Sequence, residues 1–179
     1  MTKATHLCCT CGKVEIETVG TPIISAACCC NSCRTAAARL HAESQILGPF
    51  GETRFELYRK DRVRFLRGVD QLQDFHLQAG AKTRRVIATC CNTPIFLEFG
   101  GAHWLNVYGG LWPAGSLPPP ALRTMTSDLA YASLLPTDVP NHKRQSASFF
   151  AKLFAAWIAM GFRTPEVPVN GEFHAKVGG

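Results

Sequence analysis

The cysteines are the residues of this sequence whose type and spacing could do chemistry. The 179-residue chain has nine, and they fall into three short groups, at positions 8, 9 and 11, at 28, 29, 30 and 33, and at 90 and 91. A disulfide framework would spread an even number of cysteines over a small secreted domain. An odd number confined to three groups therefore favours metal binding over disulfide bonding.

Cys28, Cys30 and Cys33 form a Cys-x-Cys-x-x-Cys motif. Thiolates at this spacing can close on one soft cation, and zinc takes such sulfur ligands in a tetrahedron. Three protein ligands leave a fourth position, for which Cys29 could compete, and an open fourth position distinguishes a catalytic zinc from a structural one. A substrate thiol bound there would be held as a thiolate near neutral pH and could attack a small electrophile.

Cys9 and Cys11 supply only two ligands, so they need a distant pair. The segment "CCNTP" at 90–94, with Cys90 and Cys91, is the remaining source. Four sulfurs would make a closed site that clamps the N-terminal strands to a later part of the sheet and contributes folding free energy directly. We therefore expect a structural metal site here.

Two other interpretations of the cysteines stay open at this stage. A free cysteine often packs as a small buried hydrophobe, and for Cys8 and Cys29 that role is as well supported as ligation. Cys30 and Cys33 also have the Cys-x-x-Cys spacing of thioredoxin-like redox sites. The additional cysteines upstream and the lack of a βαβ pattern argue against the redox role.

Short alternating segments predict a mainly β protein built of short antiparallel strands. Residues 13–19 and 23–30 are predicted to form a first hairpin, which would bring the first two cysteine groups near each other. A short helical turn is predicted at 34–41. Further strands are predicted at 54–59, 62–67, 72–78, 84–89, 94–99 and 104–110.

The C-terminal third has a different character. Prolines are frequent over 112–142 and discourage regular structure. Residues 146–162 then carry large apolar side chains at helical spacing, with Ser146 or Ser148 as a cap and Gly161 as a stop, and this helix is expected to dock on the sheet or on a second copy of the chain. The predicted organisation is a β domain over 1–112, followed over 113–179 by a proline-rich connection and a helix packed on the same domain.

Composition limits the classes of function. Hydrophobic residues make up 46% of the chain and charged residues 18%, and no segment has the length of a transmembrane helix. The first residues lack the apolar run of a secretory signal, so we expect a cytoplasmic protein, in a compartment that disfavours disulfides. The basic residues behind the net charge of +6 are scattered apart from 59–67 and 82–85. There we expect solvated strand faces, and no track for nucleic acid.

Three segments resemble, in order, the motifs of the glutathione-dependent formaldehyde-activating enzyme (GFA) family: "CTCGKV" at 9–14, "CCCNSCR" at 28–34 and "CCNTPIF" at 90–96. The resemblance covers about residues 5–110 and implies the zinc-binding β-tent fold of that family. It also implies two Zn²⁺ ions, a catalytic one on Cys28, Cys30 and Cys33 and a structural one on Cys9, Cys11, Cys90 and Cys91.

The activity that the resemblance implies is of the carbon–sulfur lyase type, in which glutathione adds to formaldehyde to give S-(hydroxymethyl)glutathione. The late motif departs from the family pattern, since Ala88 stands at the first cysteine position and Asn92 stands in place of glycine. The two late cysteines are adjacent instead, and adjacent sulfurs reach one ion only with a strained backbone. Cys91 is therefore favoured over Cys90 as a ligand.

Two further functions are weighed against thiol-dependent catalysis. One is a non-catalytic zinc module that binds glutathione or a macromolecular partner through the basic strand face, which a second site closed by Cys29 would favour. The other is a redox or metal-buffering protein, which labile metal and reversible disulfide formation would favour. Each of these functions is compatible with a homo-oligomer.

Overall fold

The computed structural model describes residues 3–169, which form ten strands and three α-helices. The helices are α1 Asn31–Arg39, α2 Glu43–Ile46 and α3 Ala147–Ala159. The prediction of a mainly β fold with a C-terminal helix is confirmed. The strands are β1 Ala4–Cys8, β2 Glu15–Val19, β3 Ile24–Cys28, β4 Thr53–Arg59, β5 Val63–Arg67, β6 Leu72–Phe75, β7 Thr83–Ala88, β8 Thr93–Phe99, β9 Trp104–Tyr108 and β10 Leu122–Thr124.

The strands form two sheets. The small sheet has the order β1-β2-β5, and the large sheet has the order β10-β3-β4-β9-β8-β7-β6. Neighbouring strands are antiparallel, as predicted, in every pair except one. The exception is β10, which pairs in parallel with β3 at the edge of the large sheet.

The predicted hairpin between residues 13–19 and 23–30 is wrong, because β2 and β3 belong to different sheets. β2 pairs instead with β1, a strand that the sequence did not predict, and Leu7 lies opposite Ile16. In β3, Ala26 and Ala27 point to opposite faces and are both buried. Since β3 must be covered on both faces, it takes a place inside the large sheet.

The large sheet is covered on both faces, so β4 is buried along most of its length. On one face, Leu7 and Ile16 of the small sheet form a core with Phe96 of β8. On the other face, Leu40 after α1 and Ile46 of α2 form a second core with the same sheet. The large sheet is therefore the middle of three layers.

The helix α3 closes one end of the helical layer. Of the two cap residues that the sequence offered, Ser146 is the N-cap, since its Oγ accepts a hydrogen bond from the Phe149 N–H at 3.2 Å. His103 Nε2 donates to the Leu153 carbonyl at 2.8 Å, and the Trp157 ring stacks on the His103 ring with centroids 5.5 Å apart. The helix thus packs beside the start of β9. Among the helices of residues 3–169, none has the length and apolar character needed to cross a bilayer.

The proline-rich segment contains the short strand β10, which the sequence did not predict. Its Thr124 lies opposite Cys28 of β3. The buried Arg123 guanidinium donates to Asp138 Oδ1 at 2.8 Å and to the Pro136 carbonyl at 3.2 Å, so the segment is tied back on itself. The strand places the residues that follow it beside the second cysteine group.

Candidate metal centres

Four sulfur atoms meet where the loop after β1 contacts the turn between β7 and β8. The Sγ atoms of Cys9, Cys11, Cys90 and Cys91 all lie within 4.8 Å of one another. The separations are 3.7 Å for Cys9–Cys11, 3.8 Å for Cys9–Cys90, 3.3 Å for Cys11–Cys90 and 3.8 Å for Cys90–Cys91. Sulfurs about 2.3 Å from a tetrahedral zinc lie about 3.8 Å apart. This group, the first centre, therefore fits one metal ion.

Both adjacent cysteines reach the first centre because the chain turns sharply after them. Asn92 adopts a left-handed φ of +55°, a conformation that asparagine tolerates better than most residues. Its Nδ2 donates a hydrogen bond to the Leu40 carbonyl, which ties the turn to the end of the α1 region. The left-handed turn follows the two cysteines directly, and Cys90 belongs to the group as well as Cys91.

Hydrogen bonds to sulfur prepare the first centre for a cation. The Val14 N–H donates to Cys9 Sγ at 3.2 Å, and Thr93 Oγ1 lies 3.0 Å from Cys91 Sγ. Burial acts to raise the pKa of the Cys91 thiol, but hydrogen bonds from Thr93 and Cys11 outweigh it and lower that pKa to about 6. At Cys91 the contacts therefore favour the thiolate, which is the form that binds a metal, whereas burial raises the pKa of the Cys9 thiol despite the Val14 hydrogen bond.

The second group of cysteines lies at the junction of β3 and α1. The Sγ atoms of Cys28, Cys30 and Cys33 lie within 4.8 Å of one another. Cys28 ends β3, while Cys30 is the N-cap of α1, and its Sγ accepts a hydrogen bond from the Cys33 N–H at 3.3 Å. Hydrogen bonds from Cys28 and Cys33 lower the pKa of the Cys30 thiol. The positive end of α1 also favours a thiolate at this second centre.

Cys29 and Cys8 belong to neither centre. Cys29 is fully buried against Leu129 and Leu135, because neighbouring side chains of an extended chain point in opposite directions. Burial raises the pKa of its thiol to about 11. Cys8 is exposed at the end of β1. Within residues 3–169, no fourth cysteine, histidine or acidic residue joins Cys28, Cys30 and Cys33.

A cavity of about 610 Å³ opens beside the second centre. Its wall includes the three cysteines, Met125 after β10, and Phe149 and Phe150 of α3. Met125 has a left-handed φ of +57°, a strained conformation of the kind that clusters at ligand sites. Small-molecule sites commonly have volumes of roughly 300–1,000 Å³. The second centre therefore faces a space of the size that a small ligand requires.

A buried arginine lies behind the second centre. Arg85 of β7 is 1% exposed, and its guanidinium donates to the Ser32 carbonyl at 3.2 Å and to the Ser32 Oγ at 2.7 Å. Within the described part of the chain, no carboxylate lies within 4.0 Å of it. After the Cys28 and Cys33 hydrogen bonds, its charge is a further cause of the lowered Cys30 pKa. A buried cation needs a negative partner, and a divalent ion with three thiolates carries a charge of −1.

Comparison with known proteins shows to which family the chain belongs. Residues 1–111 match the model of a family described as "Family of unknown function (DUF6151)". The chain belongs to the DUF6151 family. No curated protein matches the sequence. A crystal structure of a Rhodobacter sphaeroides protein is similar to this chain with a TM-score of 0.46 and 16% identity, over 64% of this chain and 92% of that one.

The sequence interpretation of this DUF6151 member missed the role of Arg85. The stretch 82–85 was expected to be a solvated face, which is wrong for Arg85. Its side chain shares a face of β7 with Ile87, which lies in the core on the helical side, and this alternation was the available signal. In β5, by contrast, Arg64 and Arg67 are exposed as expected, and they pair with acidic residues of β2 at 2.9 and 3.0 Å.

Arg85→Met is expected to weaken metal binding at the second centre by about 10- to 100-fold, the usual cost of losing an outer partner of metal ligands. Methionine keeps the length and the burial but removes the charge that offsets the thiolates. The metal affinity would be measured by competition with a chelating dye. Arg85→Lys retains the charge and is expected to keep most of the wild-type affinity. Unchanged affinity in Arg85→Met would show that the guanidinium does not act on this centre.

Proposed function

We propose that this chain holds two zinc ions and activates a thiol at the second centre for addition to a small aldehyde. The observation that carries the proposal is the set of three sulfurs, with no fourth ligand among residues 3–169, that borders a cavity of about 610 Å³. Three thiolates suit zinc and leave one tetrahedral position for a ligand from outside. The first centre has four sulfurs, a complete ligand set, which suits a structural ion.

Zinc held at the second centre would lower the pKa of an outside thiol, so that it is bound as a thiolate near neutral pH. The residues of the chain have separate tasks there. Cys28, Cys30 and Cys33 hold the ion on the end of a strand and the start of a helix, two elements with little freedom to move. Arg85 offsets the negative charge from behind, and the apolar cavity wall excludes water from the bound thiol.

In the proposed reaction a thiol RSH adds to an aldehyde R′CHO. A carbon–sulfur bond forms between the thiolate sulfur and the carbonyl carbon, and the π electrons of the carbonyl group move to the oxygen. The oxygen takes up the proton that the thiol released, so the product is the hemithioacetal RS–CH(OH)R′. The reverse direction breaks the carbon–sulfur bond. The motif resemblance to the GFA family supports formaldehyde as the aldehyde and makes glutathione a candidate thiol.

Protein loaded with two equivalents of zinc is expected to accelerate adduct formation at least about tenfold over buffer at pH 7, since a thiol pKa lowered from about 8.5 to about 7 raises the thiolate fraction by that factor. The measurement is exchange NMR of ¹³C-formaldehyde with 2-mercaptoethanol, a thiol small enough for the cavity. Cys8→Ser, outside both centres, should keep the acceleration. Thiol binding without acceleration would argue instead for the non-catalytic zinc module.

A further inference from the structure

We propose that the thiol accepted at the second centre is uncharged and apolar, with an aromatic or branched body, and that glutathione is not the preferred ligand. This inference rests on the proposed function, because it names the substrate class of the same site. Two observations support it: the residues that line the cavity are mainly apolar, and the charged groups near the centre already have partners.

The cavity wall is mainly aromatic and aliphatic. Part of it comes from the large sheet, where Phe55 and Leu97 are each 4% exposed, so these side chains are held rigidly by the surrounding core. The more exposed rings of the wall, Phe99 at 43% and Phe150 at 57%, supply the apolar area that a ligand body would remove from water, and this removal gains free energy. The large apolar residues of the wall are Phe55, Leu57, Leu97, Phe99, Trp104, Met125, Phe149 and Phe150.

Among the described residues, the wall offers no cationic side chain that would bind a carboxylate. Among the described residues it includes no lysine, arginine or histidine, and its only ionisable group besides the cysteines is Asp128. Glutathione carries two carboxylates, and carboxylates are bound by charge-assisted hydrogen bonds from cations or from helix N-termini. The acidic side chain of Asp128 would instead repel them.

The two cationic features nearest the centre are already engaged. The N-terminus of α1 is capped from outside, because Asp128 Oδ2 accepts a hydrogen bond from the Asn31 N–H at 3.0 Å. The Arg85 guanidinium donates to Ser32 and is 1% exposed. A carboxylate that entered the cavity would therefore lose water without gaining a cationic partner, which costs free energy.

Apart from Asp128 and the cysteines, the polar groups of the wall are neutral. Asn106 is 6% exposed, and its Nδ2 donates to the Leu97 carbonyl at 3.0 Å, which leaves its Oδ1 as an acceptor beside the cavity. The hydroxyl-bearing residues Thr83 and Thr124 also line the wall. Such groups suit the single new hydroxyl of a hemithioacetal, and they place no charge in the site.

The test compares 2-phenylethanethiol with glutathione on protein whose second centre holds cobalt(II), because sulfur-to-cobalt absorption reports thiol binding directly. We expect 2-phenylethanethiol to bind at least about 30-fold more tightly, as burial of its ring would provide. Glutathione binding as tightly or more tightly would overturn this inference and leave the proposed function standing.

A ligand without a thiol distinguishes a failure of this inference from a failure of the proposed function. Binding of 2-phenylethanol, measured by calorimetry, reports the preference of the cavity without any metal–sulfur bond. If neither thiol changes the cobalt spectrum, the proposed function fails; 2-phenylethanol binding would then still support an apolar occupant, and its absence would overturn that as well.

A pair of matched variants tests the same point on the protein side. Phe150 and Phe154 are 57% and 55% exposed on α3, but only Phe150 lines the cavity. Phe150→Lys adds a cation at the rim, and we expect it to weaken 2-phenylethanethiol binding about tenfold and to strengthen glutathione binding. Phe154→Lys adds the same charge one turn away and should change neither affinity. Equal effects of the two variants would contradict a role for the cavity wall.

Discussion

Cys9→Ser is expected to remove the metal of the first centre and to lower the free energy of unfolding of the whole β domain by at least about 3 kcal/mol. Cys9 is 3% exposed, and its sulfur lies 3.8 Å from that of Cys90, so the ion would join the loop after β1 to the turn between β7 and β8. A structural zinc contributes about 10–16 kcal/mol of apparent binding free energy in zinc-finger peptides, whereas a whole domain is stable by only about 5–15 kcal/mol. Losing this ion therefore removes a large part of the free energy that keeps the domain folded.

The measurement is urea-induced unfolding together with the zinc-to-protein ratio, which should be near two in the wild type. Cys8→Ser is the matched control, because Cys8 is the adjacent residue, is exposed, and lies outside the centre. It should retain both ions and the stability of the wild type. A Cys9→Ser protein with two zinc ions and unchanged unfolding would show that the four sulfurs do not form a structural site.

Cys30→Ser is expected to lower the zinc-to-protein ratio from two to one and to abolish thiol binding, while the fold remains largely intact. The three ligands of the second centre lie within six positions of one another, at the junction of β3 and α1. No distant elements therefore depend on the ion of this centre. Serine is also a good N-cap, and it can replace the Cys30 sulfur as the acceptor for the Cys33 N–H. The helix should therefore start where it starts now.

Thiol binding is read from the cobalt spectrum and folding from urea-induced unfolding. Cys29→Ala is the neighbouring control, since Cys29 is buried away from the centre. It should lose some stability through the cavity it creates, but it should keep both ions and thiol binding. If Cys30→Ser lost as much stability as Cys9→Ser, the division into a structural and a catalytic centre would be refuted.

The positions of most strands, though not those of β1 and β10, could be predicted from the sequence because each of these strands carries its own pattern of alternation. β4, β5 and β8 begin and end within a residue of the predicted ranges, and α3 starts at one of its two predicted caps. Pairing could not be predicted in the same way. The segments 13–19 and 23–30 are close in sequence and both extended, yet the burial of β3 on both faces sends them to different sheets.

The three sulfurs of the second centre were indicated by their local spacing in the sequence. Cys9, Cys11 and Cys91 were assigned to the first centre because no other cysteine group remained and because of the family resemblance, whereas Cys90 was the less favoured ligand. Only the tertiary structure decided how Cys90 and Cys91 both reach the first centre, through the left-handed turn at Asn92. It also decided what surrounds the second centre. Arg85 of β7 and the α3 aromatics lie far from Cys28 in sequence, and they are brought there by sheet pairing and by burial of apolar area, which depend on the whole chain and on no local motif.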